Sequence, residues 1–141
     1  MKYKHSALFI VGTLGSFFSY LIGGFDSLMI ALIVLMSIDF LSGILLAIVF
    51  KKSKKTVTGR LSSGAGIKGL AKKIFILFLV AMSQQLDIIL ETSFVRDGAV
   101  IAFISMEGVS ILENAALAGL KVPKVIKNIL EVINKDGSEN E

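Results

Sequence analysis

The stretch LMIALIVLMSIDFLSGILLAIVFKKSKK, residues 28–55, decides how this chain folds. Residues 28–50 are apolar almost throughout, carry one carboxylate, Asp39, near the middle, and stop on Lys51, Lys52, Lys54 and Lys55. A helix rises about 1.5 Å per residue, so about 20 residues cross a hydrocarbon core roughly 30 Å thick. This run is long enough to span a membrane, and the lysine block marks the side on which it ends. A carboxylate at that depth costs about 2.5–3.5 kcal/mol on insertion scales and usually has a task.

The rest of the chain agrees. It has 141 residues, 54% of them hydrophobic, with a mean hydropathy of +0.79. A soluble domain of that size cannot hide so much apolar surface. There is no cysteine, and the single histidine, His5, lies in the N-terminal tail, so disulfides, thiol chemistry, a two-histidine metal site and a histidine-based triad are excluded. The one proline, Pro123, lies outside the apolar runs, which therefore carry no proline kink.

Three further apolar segments occupy residues 7–22, 74–90 and 98–120. Their runs are continuous rather than alternating, and four strands cannot close a membrane barrel. The expected architecture is an all-α membrane protein with four transmembrane helices in residues 1–121. All 15 Lys and Arg except Arg96 then fall on one side. Both termini and the 51–73 loop are expected to be cytoplasmic, and the turns at 23–26 and 91–97 external. A cleaved leader is the competing reading of residues 7–22, but no small-x-small pattern ending in alanine follows at 20–26.

Within the basic loop, LSSGAGIKGLAKK (61–73) holds Gly64, Gly66 and Gly69, which predict a hinge or short interfacial segment rather than a helix. Its spacing does not match a phosphate-binding loop. The basic clusters flank apolar spans without interleaved aromatics, so nucleic acid is not an expected partner. In the cytoplasmic tail, 122–141, apolar Val122, Val125, Ile126, Ile129, Leu130 and Ile133 recur at helical spacing opposite lysines. This predicts an amphipathic helix with Pro123 in its first turn, lying on the inner leaflet or on a partner chain. Residues 136–141 are expected to be disordered.

Two stripes of small residues share helix faces: Asp39, Gly43 and Ala47, and Gly15, Ser19 and Gly23. Small residues at four-residue spacing let helices approach closely in lipid, within one chain or between copies. Glu107, Ser110 and Asn114 form a polar stripe, with Glu113 on another face, and Gln84, Gln85 and Asp87 lie near the far end of the third span. With no basic residue expected inside a span, these acids would be protonated, hydrogen-bonded or facing water. Asp39 and Glu107 could carry protons or cations, the polar residues Gln84, Asp87, Glu107, Ser110 and Asn114 could line a lumen, or protonated acids could simply bond helices together. Lys51, Lys52, Lys54, Lys55, Lys72 and Lys73 are candidates for headgroup binding. An enzyme is not expected: Glu107 and Glu113 diverge around the helix, and Asp39 and Asp87 lie at different depths.

Three segments carry a resemblance: IDFLSGILLAIVFKK, LSSGAGIKGLAKKIFILFLVAMSQQLD and SMEGVSILENAALAGLKVPKVIKNILEVI. In order and spacing, from about residue 31 to 132, they resemble phage holins of the toxin-secretion/phage-lysis type found in clostridia and other Firmicutes. The most specific pieces are Asp39 with Ser42-Gly43, Gly66 to Lys72-Lys73, Leu86-Asp87, and Ser110 to Asn114 leading to Val122-Pro123. The first span is less diagnostic. The resemblance implies a homo-oligomer in the cytoplasmic membrane that opens lesions and releases an endolysin or a large toxin. It implies no cofactor. An antiholin is an implied partner, and the chain could itself be such a regulator. A small proton or ion channel subunit is the alternative from another class.

Overall fold

A computed structural model describes residues 2–138 except Thr56 and Leu61. It is built from helices alone among the described residues: α1 (Lys2–Leu21), α2 (Ser27–Leu45), α3 (Ser63–Leu90), α4 (Val95–Leu117) and α5 (Lys124–Ser138). A π-helical turn, Leu46–Phe50, continues α2 without a break, and Lys51 ends it in the left-handed conformation. Glu139–Glu141, the last part of the segment expected to be disordered, lie outside the described residues.

Three helices are long and apolar enough to cross a membrane: Ser27–Phe50, Ser63–Leu90 and Val95–Leu117. α1 has 20 residues but begins in Lys2, Lys4 and His5 and is not among them. Side chains such as Ile30, Val34, Leu41, Phe75, Phe78 and Ile101 point outward on all three. Such a surface belongs in lipid rather than water.

α4 is the central helix, packed along α2 on one side and α3 on the other. A thin apolar layer of Met29, Leu32 and Met36 from α2, Val80 from α3, Val100 from α4 and Ile22 fills the middle. α1 packs only near its C-terminal end, and nearly all its side chains are exposed.

The end of the bundle holding the 22–26 turn is clamped by Arg96, in the first turn of α4. Its Nε donates to Ile22 O at 2.8 Å and its Nη1 to Asp26 at 2.6 Å and Asp97 at 2.9 Å. Gly23 sits between these partners with φ +78°, and a Cβ there would collide with the side chains of Gln84 and Arg96. Asp87 from α3 caps α4: its carboxylate accepts from the N–H groups of Val95 at 3.1 Å and Arg96 at 2.8 Å, and from the Thr92 hydroxyl at 2.6 Å. Phe94, at the cap position, has no side-chain acceptor, so a neighbouring helix supplies it.

Two expectations are overturned here. Residues 63–73 are not a hinge: α3 is one helix of 28 residues, beginning well before the apolar run. The glycines lower intrinsic helicity, but tertiary packing overrides propensity. The Gly69 backbone lies under Phe40, where an added Cβ would touch the ring at 3.8 Å. Arg96, read as a loop residue, is instead buried in α4. At the C-terminus, α5 forms as an amphipathic helix with Val125, Ile126, Ile129 and Val132 exposed. Pro123 stands just before it and accepts from Ile126 N–H at 3.2 Å.

Candidate functional site

Beyond the apolar layer, toward the lysine-rich end, three helices bring charges together. α2 contributes Asp39, α3 Lys73 and α4 Glu107, with Ser110 and Asn114 beside it. Each lies on the inward face because the sequence repeats by sevens. Lys73, Val80 and Asp87 share one face of α3, and Val100, Glu107 and Asn114 one face of α4.

Lys73 Nζ donates to Asp39 Oδ2 at 3.0 Å and to Glu107 Oε2 in a short ion pair. Asp39 Oδ1 accepts from the Ser110 hydroxyl at 2.5 Å and from Asn114 Nδ2 at 3.3 Å. Asn114 also donates to Ser42 Oγ at 2.9 Å, and Ser42 Oγ donates to Asp39 O at 3.0 Å. Asp39 is 4% exposed and Glu107 8%. The sequence-based expectation that no basic group reaches these acids is therefore wrong. α3 starts earlier than its apolar run, and this puts Lys73 inside the helix and opposite both carboxylates.

The cluster carries one ammonium against two carboxylates. A buried ion pair roughly offsets its own desolvation when fully hydrogen-bonded, whereas removing one partner strands a charge. The chemistry is electrostatic, and its direct consequence is to tie α2, α3 and α4 together.

Other candidate residues lie elsewhere. Gly43 and Ala47 share the Asp39 face: Ala47 is buried, and a Cβ on Gly43 would stand 3.8 Å from Asn114 Nδ2 and 3.9 Å from Lys55 Nζ. That stripe is thus used within the chain. Gly15 has no atom near its missing Cβ, Ser19 is half-buried, and Gly23 belongs to the turn. With Gln84 they border a wide gap of ≈ 780 Å³ between α1 and α3. Gln84 and Asp87 are at the Arg96 end, remote from Glu107, Ser110 and Asn114. Lys51, Lys52 and Lys72 are exposed, and Lys54 pairs with exposed Glu113 at 3.4 Å. Sequence reasoning assigned Lys73 only to headgroups and Arg96 to a loop. The seven-residue spacing from Lys73 to Val80 to Asp87 was the available signal for Lys73.

The family model described as the bacteriophage holin family matches residues 16–135. The chain belongs to the bacteriophage holin family. It is therefore a membrane-integral, pore-forming protein and not an enzyme. Among its relatives, an uncharacterised protein of Listeria monocytogenes is 39% identical over 90% of this chain and 86% of its own length. One from Clostridium perfringens is 33% identical over 86% of this chain and 88% of its own. A protein of Bacillus phage phi105 described as a probable holin is 32% identical over 77% of this chain and 75% of its own. No solved structure matches.

Proposed function

We propose that the chain is a holin that assembles with copies of itself in the cytoplasmic membrane and opens lesions large enough for an endolysin, or a large toxin, to pass. The observation that carries this reading is the family match, which covers all three membrane-length helices and most of α5. In the assembled form α1 is a fourth span, with Lys2 and Lys4 inside. Both termini and the 51–62 loop face the cytoplasm, and α5 lies on the inner leaflet. The loop lysines and Lys72 grip anionic headgroups at about 1 kcal/mol each near the surface.

In the single chain, Asp39, Glu107, Ser110 and Asn114 satisfy one another and Lys73. Separating α3 from α2 and α4 would present these groups to water, which is what the wall of an aqueous lesion requires. The exposed apolar sides of α1 and α2 supply surface for neighbouring copies. Expression of the chain in a bacterium, with a cytoplasmic endolysin that has no export signal, tests the proposal. Collapse of the membrane potential followed by lysis is expected. An intact potential with the chain present in the membrane would overturn it, and a delay of lysis by a second, active holin would mark an antiholin instead.

A further inference from the structure

A second groove opens between α3 and α4 beside the charge cluster, with a volume of ≈ 660 Å³. Its mouth is basic: Lys55, Lys68 and Lys72 border it, with Lys73 at its floor. Its deeper half is apolar, walled by Phe75, Ile76 and Leu79 of α3 and Met106 of α4. On α3 the lining residues Lys68, Lys72, Phe75, Ile76 and Leu79 follow helical spacing, so one face changes from charged to apolar along the helix axis.

The charges at the mouth are available. Among the described residues none of Lys55, Lys68 and Lys72 takes part in an ion pair, whereas Lys73 is occupied by Asp39 and Glu107. Asp39 and Glu107 are the carboxylates that face the groove. Four ammonium groups against two carboxylates leave the site cationic. A cationic mouth rejects a headgroup that brings its own cation close and favours one with net negative charge. A free phosphate would satisfy the lysines but leave the Phe75, Leu79 and Met106 wall uncovered. A phosphate carried on acyl chains covers both halves at once.

We infer that this groove is a binding site for one anionic phospholipid. The phosphate sits among Lys55, Lys68 and Lys72, and an acyl chain lies along Phe75, Leu79 and Met106. This is a defined site between helices, distinct from the diffuse attraction of surface lysines to a charged leaflet. It rests on the membrane placement of α3 and α4 and not on lesion formation.

The chain has no tryptophan, so Phe75→Trp places a single indole in the groove wall, at a position already 65% exposed. The full chain is reconstituted in phosphatidylcholine vesicles holding a minor fraction of brominated phosphatidylglycerol or, in parallel, of brominated phosphatidylcholine. The brominated anionic lipid is expected to quench at about a tenfold lower mole fraction than the zwitterionic one. Adding Lys68→Gln and Lys72→Gln should abolish that preference, whereas Lys51→Gln with Lys52→Gln, the same change of charge outside the groove, should preserve it. Inorganic phosphate alone should not relieve quenching.

Equal quenching by both lipids overturns the site. So does an equal loss in both double variants, which would indicate surface charge alone, and so does relief by phosphate. Helix content by circular dichroism excludes unfolding as the cause of a lost preference. A chain that shows the preference but opens no lesions leaves this site standing and overturns the proposed function. Lesions without the preference do the reverse.

Discussion

Lys73 holds together what would otherwise be the least favourable pair in the molecule. Asp39 and Glu107 are both buried, come from different helices and meet on one ammonium. Stranding a buried charge costs about 3–5 kcal/mol, so Lys73→Gln is expected to lower unfolding stability in micelles by about that amount. With Asp39→Asn added, the further loss should be small, because the amide still accepts from Ser110 and no second carboxylate remains to repel Glu107. Strict additivity in this double-mutant cycle would contradict the geometry. Asp39→Asn alone should insert normally but change assembly or the timing of lysis; unchanged timing would reduce Asp39 to a packing residue. At the other end, the Arg96 guanidinium and then the Met29 N–H hold the Asp26 carboxyl below the usual carboxylate range. A depressed value contributes stability that is present above the unfolded value of about 3.9 and is lost as pH falls through the folded one. The difference in melting temperature between wild type and Asp26→Asn should therefore be present at about pH 6 and close toward about pH 2. A gap that persists in acid would contradict it. Asp39 was legible as a buried acid and Ser110 and Asn114 as a polar stripe, but that the two meet was not, and neither was the cation of Asp39. Lys73 sits one residue before the apolar run and reads as its flank.

At the scale of elements, α2 and its π-helical end follow the apolar run almost residue for residue, because a continuous hydrophobic stretch closed by a lysine block leaves little freedom. α4 starts at Val95, earlier than its hydropathy suggests, because Asp87 caps its first N–H groups from another helix. Such a cap is a tertiary contact and invisible to local pattern. α3 departs most, since its first turns hold three glycines and still form helix. An added Cβ at Gly66 meets no atom within 4 Å. Gly66→Ala should then raise stability by up to about 1 kcal/mol, the difference in helix propensity, and leave lysis intact. Loss of lysis from this substitution would show that the segment must unwind in use. α5 was legible from its period, whereas the contact it makes with α4 was not.

At the scale of the whole molecule, α2, α4 and α3 form a bundle tied at one end by Arg96 and near mid-helix by Lys73, with apolar side chains facing outward. The three membrane-length helices could be read from hydropathy. The position of α1 could not, since it makes few contacts and its exposed length gives no pattern that specifies a neighbour. Those unsatisfied surfaces are what assembly would cover, and the internal charge cluster is what opening would expose. The most direct measurement is release from anionic vesicles loaded with both a small dye and a folded protein the size of an endolysin, after addition of the purified chain. The account predicts that both escape together. Escape of the dye alone would describe a small-ion channel, and retention of both would contradict the account outright.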